Sequence, residues 1–102
     1  MSATSESPNP EPSASFVTAC FTVEARAEPG VMPRVLELFA KRGLIPTQWH
    51  SAVAGSSRDE LHIDIQLENV SRDLAGYIAR SLRQLVDVEV VLTSEKHFAQ
   101  NR

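Results

Sequence analysis

The stretch Ala27-Glu28-Pro29-Gly30-Val31-Met32-Pro33-Arg34-Val35-Leu36-Glu37-Leu38-Phe39-Ala40-Lys41-Arg42-Gly43 decides the fold. Pro29-Gly30 reads as a tight turn, because proline fixes φ and glycine is free to adopt positive φ. Val31, Val35, Leu38 and Phe39 then recur at helical spacing, and Met32 and Leu36 widen the stripe. Arg34, Glu37 and Lys41 fall on the other side, with Glu37 four residues before Lys41 in the favourable order. Pro33 lies in the first turn, where its missing N–H has no intrahelical partner to lose. Gly43 supplies the left-handed residue that commonly closes a helix.

Before this turn and helix the period is two. Val17, Ala19, Phe21, Val23 and Ala25 alternate with Thr18, Cys20, Thr22, Glu24 and Arg26, which predicts a half-buried strand. After the helix, Thr47 to Ala54 predicts a second strand of undecided register. Trp49, Val53, Thr47 and Ser51 share one face; Gln48, His50, Ala52 and Ala54 share the other. Pro46 cannot donate to a ladder, which suits a strand start or an edge. Residues 55–59 read as a hairpin loop, and Leu61, Ile63, Ile65 and Leu67 alternate with His62, Asp64 and Gln66 as a third strand. Asn69 or Ser71 can cap a second helix running to about Leu85, with Leu74, Tyr77, Ile78, Leu82 and Leu85 on its apolar side. Gly76 inside that helix costs roughly 1 kcal/mol against alanine, for which close packing on the sheet is the expected reason. Val88, Val90 and Leu92 alternate with Glu89, Val91 and Thr93 as a fourth strand.

The order β-α-β-β-α-β predicts an α+β, ferredoxin-like sandwich, two helices on one face of a four-stranded antiparallel sheet. Strands 1 and 3 are expected at the centre and strands 2 and 4 at the edges. Residues 1–14 read as a disordered Ser/Pro-rich tail, 15–94 as one domain, and 95–102 as a polar tail. A chain of 102 residues carries one small domain, and such a domain is marginal alone, so an oligomer or a partner is expected to help it.

Composition excludes several function classes. A net charge of −3 gives no global attraction to nucleic acid or to an anionic membrane. The single Cys20 makes no internal disulfide, and no apolar run or leader-like start is visible, which leads to the expectation of a cytoplasmic protein. His50, His62 and Cys20 sit on three different strands without ligand spacing, so no metal or other cofactor is expected. Cys20 has no visible base to make it a nucleophile, and no catalytic constellation is apparent. The RNA-recognition module shares this strand order but stacks bases on aromatic rings of its central strands. Here the open face is expected to carry Thr18, Cys20, Thr22, His62, Asp64 and Gln66 instead. The arginines of the second helix read as a solvated face.

Three pieces together resemble the ACT domain, a small amino-acid-sensing module: Glu28-Pro29-Gly30-Val31-Met32, Leu38 to Pro46, and Leu85-Val86-Asp87-Val88-Glu89-Val90. The last is similar to the ending found in regulatory (small) subunits of acetolactate synthase. The resemblance implies a non-catalytic, allosteric subunit of branched-chain amino-acid biosynthesis. It would bind the thiamine-diphosphate-dependent catalytic subunit of acetolactate synthase and sense a branched-chain amino acid at a homodimer interface. Its alternative implication is a free-standing amino-acid-binding or dimerisation module with another partner. Carried over by position, one protomer would offer the effector Ala27, Glu28, Pro29, Gly30, Val31 and Met32, and the other Ile45 and Pro46. The chain departs from the family in having Ala27 where asparagine is frequent and Ile45-Pro46 where Asn-Ile is frequent, which removes polar contacts. Trp49 is expected on the open face or an edge as part of a covered interface, and pairing along a sheet edge or through the helices would build the homodimer.

Overall fold

The computed structural model describes residues 16–96. The tail expected at 1–14 and residues 97–102 lie outside the described residues. The elements are β1 (Phe16–Arg26), α1 (Val31–Ala40), β2 (Gln48–Ala54), β3 (Glu60–Ser71), α2 (Arg72–Arg83) and β4 (Val88–Lys96). All strand pairs are antiparallel, in the order β2-β3-β1-β4, so β1 and β3 are central and β2 and β4 form the edges. Both crossover helices cover one face, which is the ferredoxin-like sandwich that the sequence predicts.

The core is the alternating face of β1 and β3 plus one stripe of each helix. Val23, Val35, Phe39, Ile63, Ile78 and Leu82 are wholly buried, and Phe39 meets Phe21 edge-to-face with ring centroids 6.1 Å apart. Each such side chain contributes about 1.5–3 kcal/mol of burial. α1 closes as expected on Gly43, whose φ is +68°. The Leu44 N–H donates to the Phe39 carbonyl at 2.9 Å and the Gly43 N–H to Ala40 at 3.0 Å, the paired bonds of a Schellman closure. α2 starts on Ser71, whose Oγ accepts the Leu74 N–H at 3.0 Å.

Four local expectations need correction. Asn69 does not cap α2; it takes a φ of +58° in a bulge, where Glu68 and Asn69 lie opposite Thr18 alone. The bulge carries β3 on to Ser71, four residues beyond Leu67, and asparagine tolerates the left-handed conformation better than most residues. A second irregularity, between Glu24 and Ala25 on β1, leaves Glu89 as the extra residue of β4 and shifts the phase of that strand. Val91 therefore points into the core while Val90 and Leu92 stand exposed on the open face. Leu36 and Tyr77, read as parts of apolar stripes, are more than two-fifths exposed. Gly76 has no sheet packed against it: a Cβ there would meet only the Arg80 side chain, at 3.5 Å.

β4 includes Glu95 and Lys96, which the sequence places in a polar tail. Arg72 makes a two-pronged contact with Glu95 at 2.7 and 3.0 Å, and Lys96 Nζ donates to Gln66 Oε1 at 3.0 Å. These bonds tie the strand end to the start of α2 and to β3. No helix among the described residues is long and apolar enough to cross a membrane.

Candidate functional site

The β1–α1 turn is built by backbone hydrogen bonds at one end of the sheet. The Ala27 N–H donates to the Asp59 carbonyl at 2.9 Å, fixing the turn to the β2–β3 loop. The Val31 N–H donates to Glu28 O at 3.1 Å and closes the turn over Pro29-Gly30. Gly30 itself has φ −75° and ψ −8°, an ordinary right-handed conformation, so the turn is of type I and makes no use of positive φ. Glycine is useful here for a different reason. The Arg34 guanidinium folds back over the turn, 2.7 Å from the point where a Cβ on residue 30 would lie.

This geometry narrows the donor set at the start of α1. No side chain caps the helix. The Val31 N–H is already engaged, Pro33 has none, and the Arg34 N–H donates to Gly30 O at 3.3 Å. A carboxylate at this end would meet the positive helix terminus through the Met32 N–H and the Arg34 guanidinium. Periodicity places Arg34 on the outer side of the helix. Its arrival at the turn needs three-dimensional information, since an i, i+4 relation to Gly30 gives reach but not direction.

Beside the turn lies a polar concavity of about 210 Å³ lined by Arg26, Ala27, Glu28, Asp59, Glu60 and Glu89. Arg26 also lies 3.8 Å from Asp87. Carboxylates outnumber Arg26 in this concavity, while the Arg34 guanidinium and the helix terminus add positive charge at the turn.

Ile45 and Pro46 lie at the far end of α1, where the Thr47 N–H donates to Gln66 O at 2.8 Å. A ten-residue helix is about 15 Å long, so one copy of the chain cannot bring this pair to Ala27–Met32. Ile45 is 81% exposed. Trp49 stands on the outermost strand, as one of the two expected placements has it, and on the helix-covered side rather than the open face. It pairs with Ile65, and its ring is half-buried against the core. Ser51 and Val53 follow the same face opposite Ile63 and Leu61. Together with Met32 and Leu36 on α1, these residues give the β2 side of the domain an apolar margin in which Leu36, Ile45 and Val53 are exposed.

The open face carries Cys20, Thr22, His50, Asp64 and Gln66, with Thr22 Oγ1 donating to Asp64 at 3.0 Å. Among the described residues no group of three or more His, Cys, Asp or Glu side chains is arranged to hold a metal ion.

No curated protein matches the chain detectably. Among solved structures, the ACT domain from GTP pyrophosphokinase of Chlorobium tepidum is similar at a TM-score of 0.65 and 11% identity. That match covers 78% of this chain and 99% of the other. The C-terminal domain of the MgtC protein from Mycobacterium tuberculosis has a TM-score of 0.64 and 15% identity, covering 86% and 96%. The regulatory subunit of aspartate kinase from Thermus flavus has a TM-score of 0.59 and 16% identity, covering 76% of this chain and 51% of that one. At these identities the structures show a shared fold. The sequence itself matches the ACT-like domain over residues 13–99, and the chain therefore belongs to the ACT-like domain family.

Proposed function

We propose that this chain is a non-catalytic regulatory subunit that binds a small amino acid between two copies of itself and modulates a thiamine-diphosphate-dependent acetolactate synthase. The observation that carries the proposal is the ACT-like match over residues 13–99, joined to the Leu85–Val90 segment that resembles acetolactate synthase small subunits. The aspartate kinase neighbour, a regulatory subunit by name, supports a regulatory role for such a domain.

The β2 side of the molecule supports a homodimer. Among the described residues nothing pairs with the outer edge of β2, and an apolar margin of Leu36, Ile45, Trp49 and Val53 accompanies it. A two-fold axis normal to the sheet would pair β2 with its copy in antiparallel fashion and set the two α1 helices antiparallel. That arrangement carries Ala27–Met32 of one protomer toward Ile45 of the partner subunit. The effector's carboxylate would then face the Met32 N–H and Arg34, and its ammonium the carboxylates around Glu28.

Mixing the chain with the acetolactate synthase of its own source tests the enzyme assignment; a rate unchanged at every ratio rejects it. Calorimetry against valine, leucine and isoleucine tests sensing separately. One observation favours a second reading, a dimerisation module acting without an effector or on another partner. Ala27, Pro33 and Pro46 leave few polar groups at the expected site. A rate change without any calorimetric signal would select a module that acts without an effector.

A further inference from the structure

Charge is sharply segregated in this domain. Residues 31–42 and 72–83 hold six cations and two carboxylates, whereas the other described residues hold three cations and nine carboxylates. The helix layer is therefore basic on a chain that is acidic as a whole. Between the helices runs a groove of about 450 Å³ whose floor is Leu38 and Leu85. Arg34, Glu37, Lys41 and Arg42 line its α1 side, three cations to one carboxylate, and Ser81 and Gln84 its α2 side. Arg42 is held rigidly there: it donates to the Leu38 carbonyl at 2.9 Å and to the Tyr77 hydroxyl at 2.6 Å, and stacks over the Tyr77 ring at 4.6 Å. Lys41 is 3.7 Å from Glu37, an exposed pair that contributes little and is readily exchanged.

We infer that the α1–α2 groove docks an acidic amphipathic helix of a partner protein, its apolar side on Leu38 and Leu85 and its carboxylates on Lys41 and Arg42. An apolar floor flanked by cations fits a helix that alternates apolar and acidic faces. A long polyanion such as nucleic acid, or an anionic membrane, meets the same cations but also the acidic remainder of the domain within about a Debye length. A second copy presents the same basic helix layer and is repelled. The inference does not depend on which enzyme the chain regulates.

The probe is a synthetic peptide of about fifteen residues with Leu at helical spacing and Glu elsewhere, titrated into the isotopically labelled full chain. Amide resonances of residues 34–42 and 81–85 should move saturably, and affinity should fall as salt is raised. The double variant Lys41→Glu, Gln84→Glu should weaken binding at least tenfold, while Arg58→Glu, at the far end of the β2–β3 loop, should not. Both variants alter exposed side chains, and their amide spectra report folding independently of binding. The inference is overturned by shifts mapping elsewhere, by equal loss in Arg58→Glu, by no saturable shift, or by tighter binding to duplex DNA or to phosphatidylserine vesicles.

Discussion

The two flanks of α1 are made from one helix and share one buried stripe, yet they are opposites. Toward α2 the helix shows Arg34, Glu37 and Lys41 around a groove with only two leucines in its floor. Away from α2 it shows Met32 and Leu36, next to a strand edge that is unpaired among the described residues, with Ile45 and Val53 exposed. A surface made for nothing would mix these characters. Their separation suits two different associations, like with like along β2 and unlike charges over the helices.

The strongest way to break the comparison is to unseat α1 altogether. Phe39→Ala removes a fully buried ring that meets Phe21 and should cost about 3–5 kcal/mol in denaturant unfolding, abolishing both flanks together. A sharper cut is Ile45→Lys. Its side chain is 81% exposed, so the monomer's stability should change by less than about 0.5 kcal/mol. Self-association measured by sedimentation should weaken at least about tenfold, equivalent to ~1.4 kcal/mol. Peptide binding in the helix groove should be untouched. If self-association persists unchanged, the apolar flank is not the dimer surface.

How much of this was legible beforehand differs element by element. β1, α1 and β3 each bury one clean face, and a buried face writes its period into the sequence; the topology followed from them. β2 has only one shared face with a neighbour and carries Ser51 among its inward positions, so alternation was too weak to fix its register. The phase of β4 was hidden by the extra residue at Glu89, because Val90 and Val91 are adjacent and either can face the core until a bulge decides it. Around the effector turn, glycine and proline marked the place but misled on the conformation. The sequence permits positive φ at Gly30, while the structure has it at φ −75°, right-handed, in a turn closed by the hydrogen bond from Val31 to Glu28. The approach of Arg34 had no sequence signal.

Smaller effects probe the α2 side of the basic flank. Gly76→Ala should stabilise the domain by up to about 0.8 kcal/mol, because a Cβ at residue 76 meets only the far end of Arg80. A loss of stability would show that packing requires the glycine after all. The smallest effect is spectroscopic. The Arg42 hydrogen bond to Tyr77, helped by Ser81 and by the charge of Arg42, holds the phenol below its ordinary value of 10.0. A depressed value means that the phenolate favours the folded state: this contribution is complete above the unfolded value and disappears as pH falls through the lowered one. Tyr77 is the single tyrosine, so phenolate absorbance reads it directly, and Arg42→Gln should return its titration to the ordinary range.

The bulge at Glu68 and Asn69 has a consequence for how this sequence can change over time. Leu67 and Val70 both face the core although they are three positions apart, and Ser71 follows at once as the cap of α2. Removing either Glu68 or Asn69 would return the pairing to one residue against one and leave Val70 opposite Val17, still facing the core. Inserting one would push Val70 and Ser71 past Val17 and Phe16 and break the register at the start of α2. The bulge is thus a place where the chain can shorten by one residue but not lengthen. Residues 56–58, exposed and ahead of the Asp59 carbonyl that holds Ala27, can absorb insertions and deletions. When relatives of this chain are aligned, gaps belong in that loop, and at the bulge only a single-residue deletion fits.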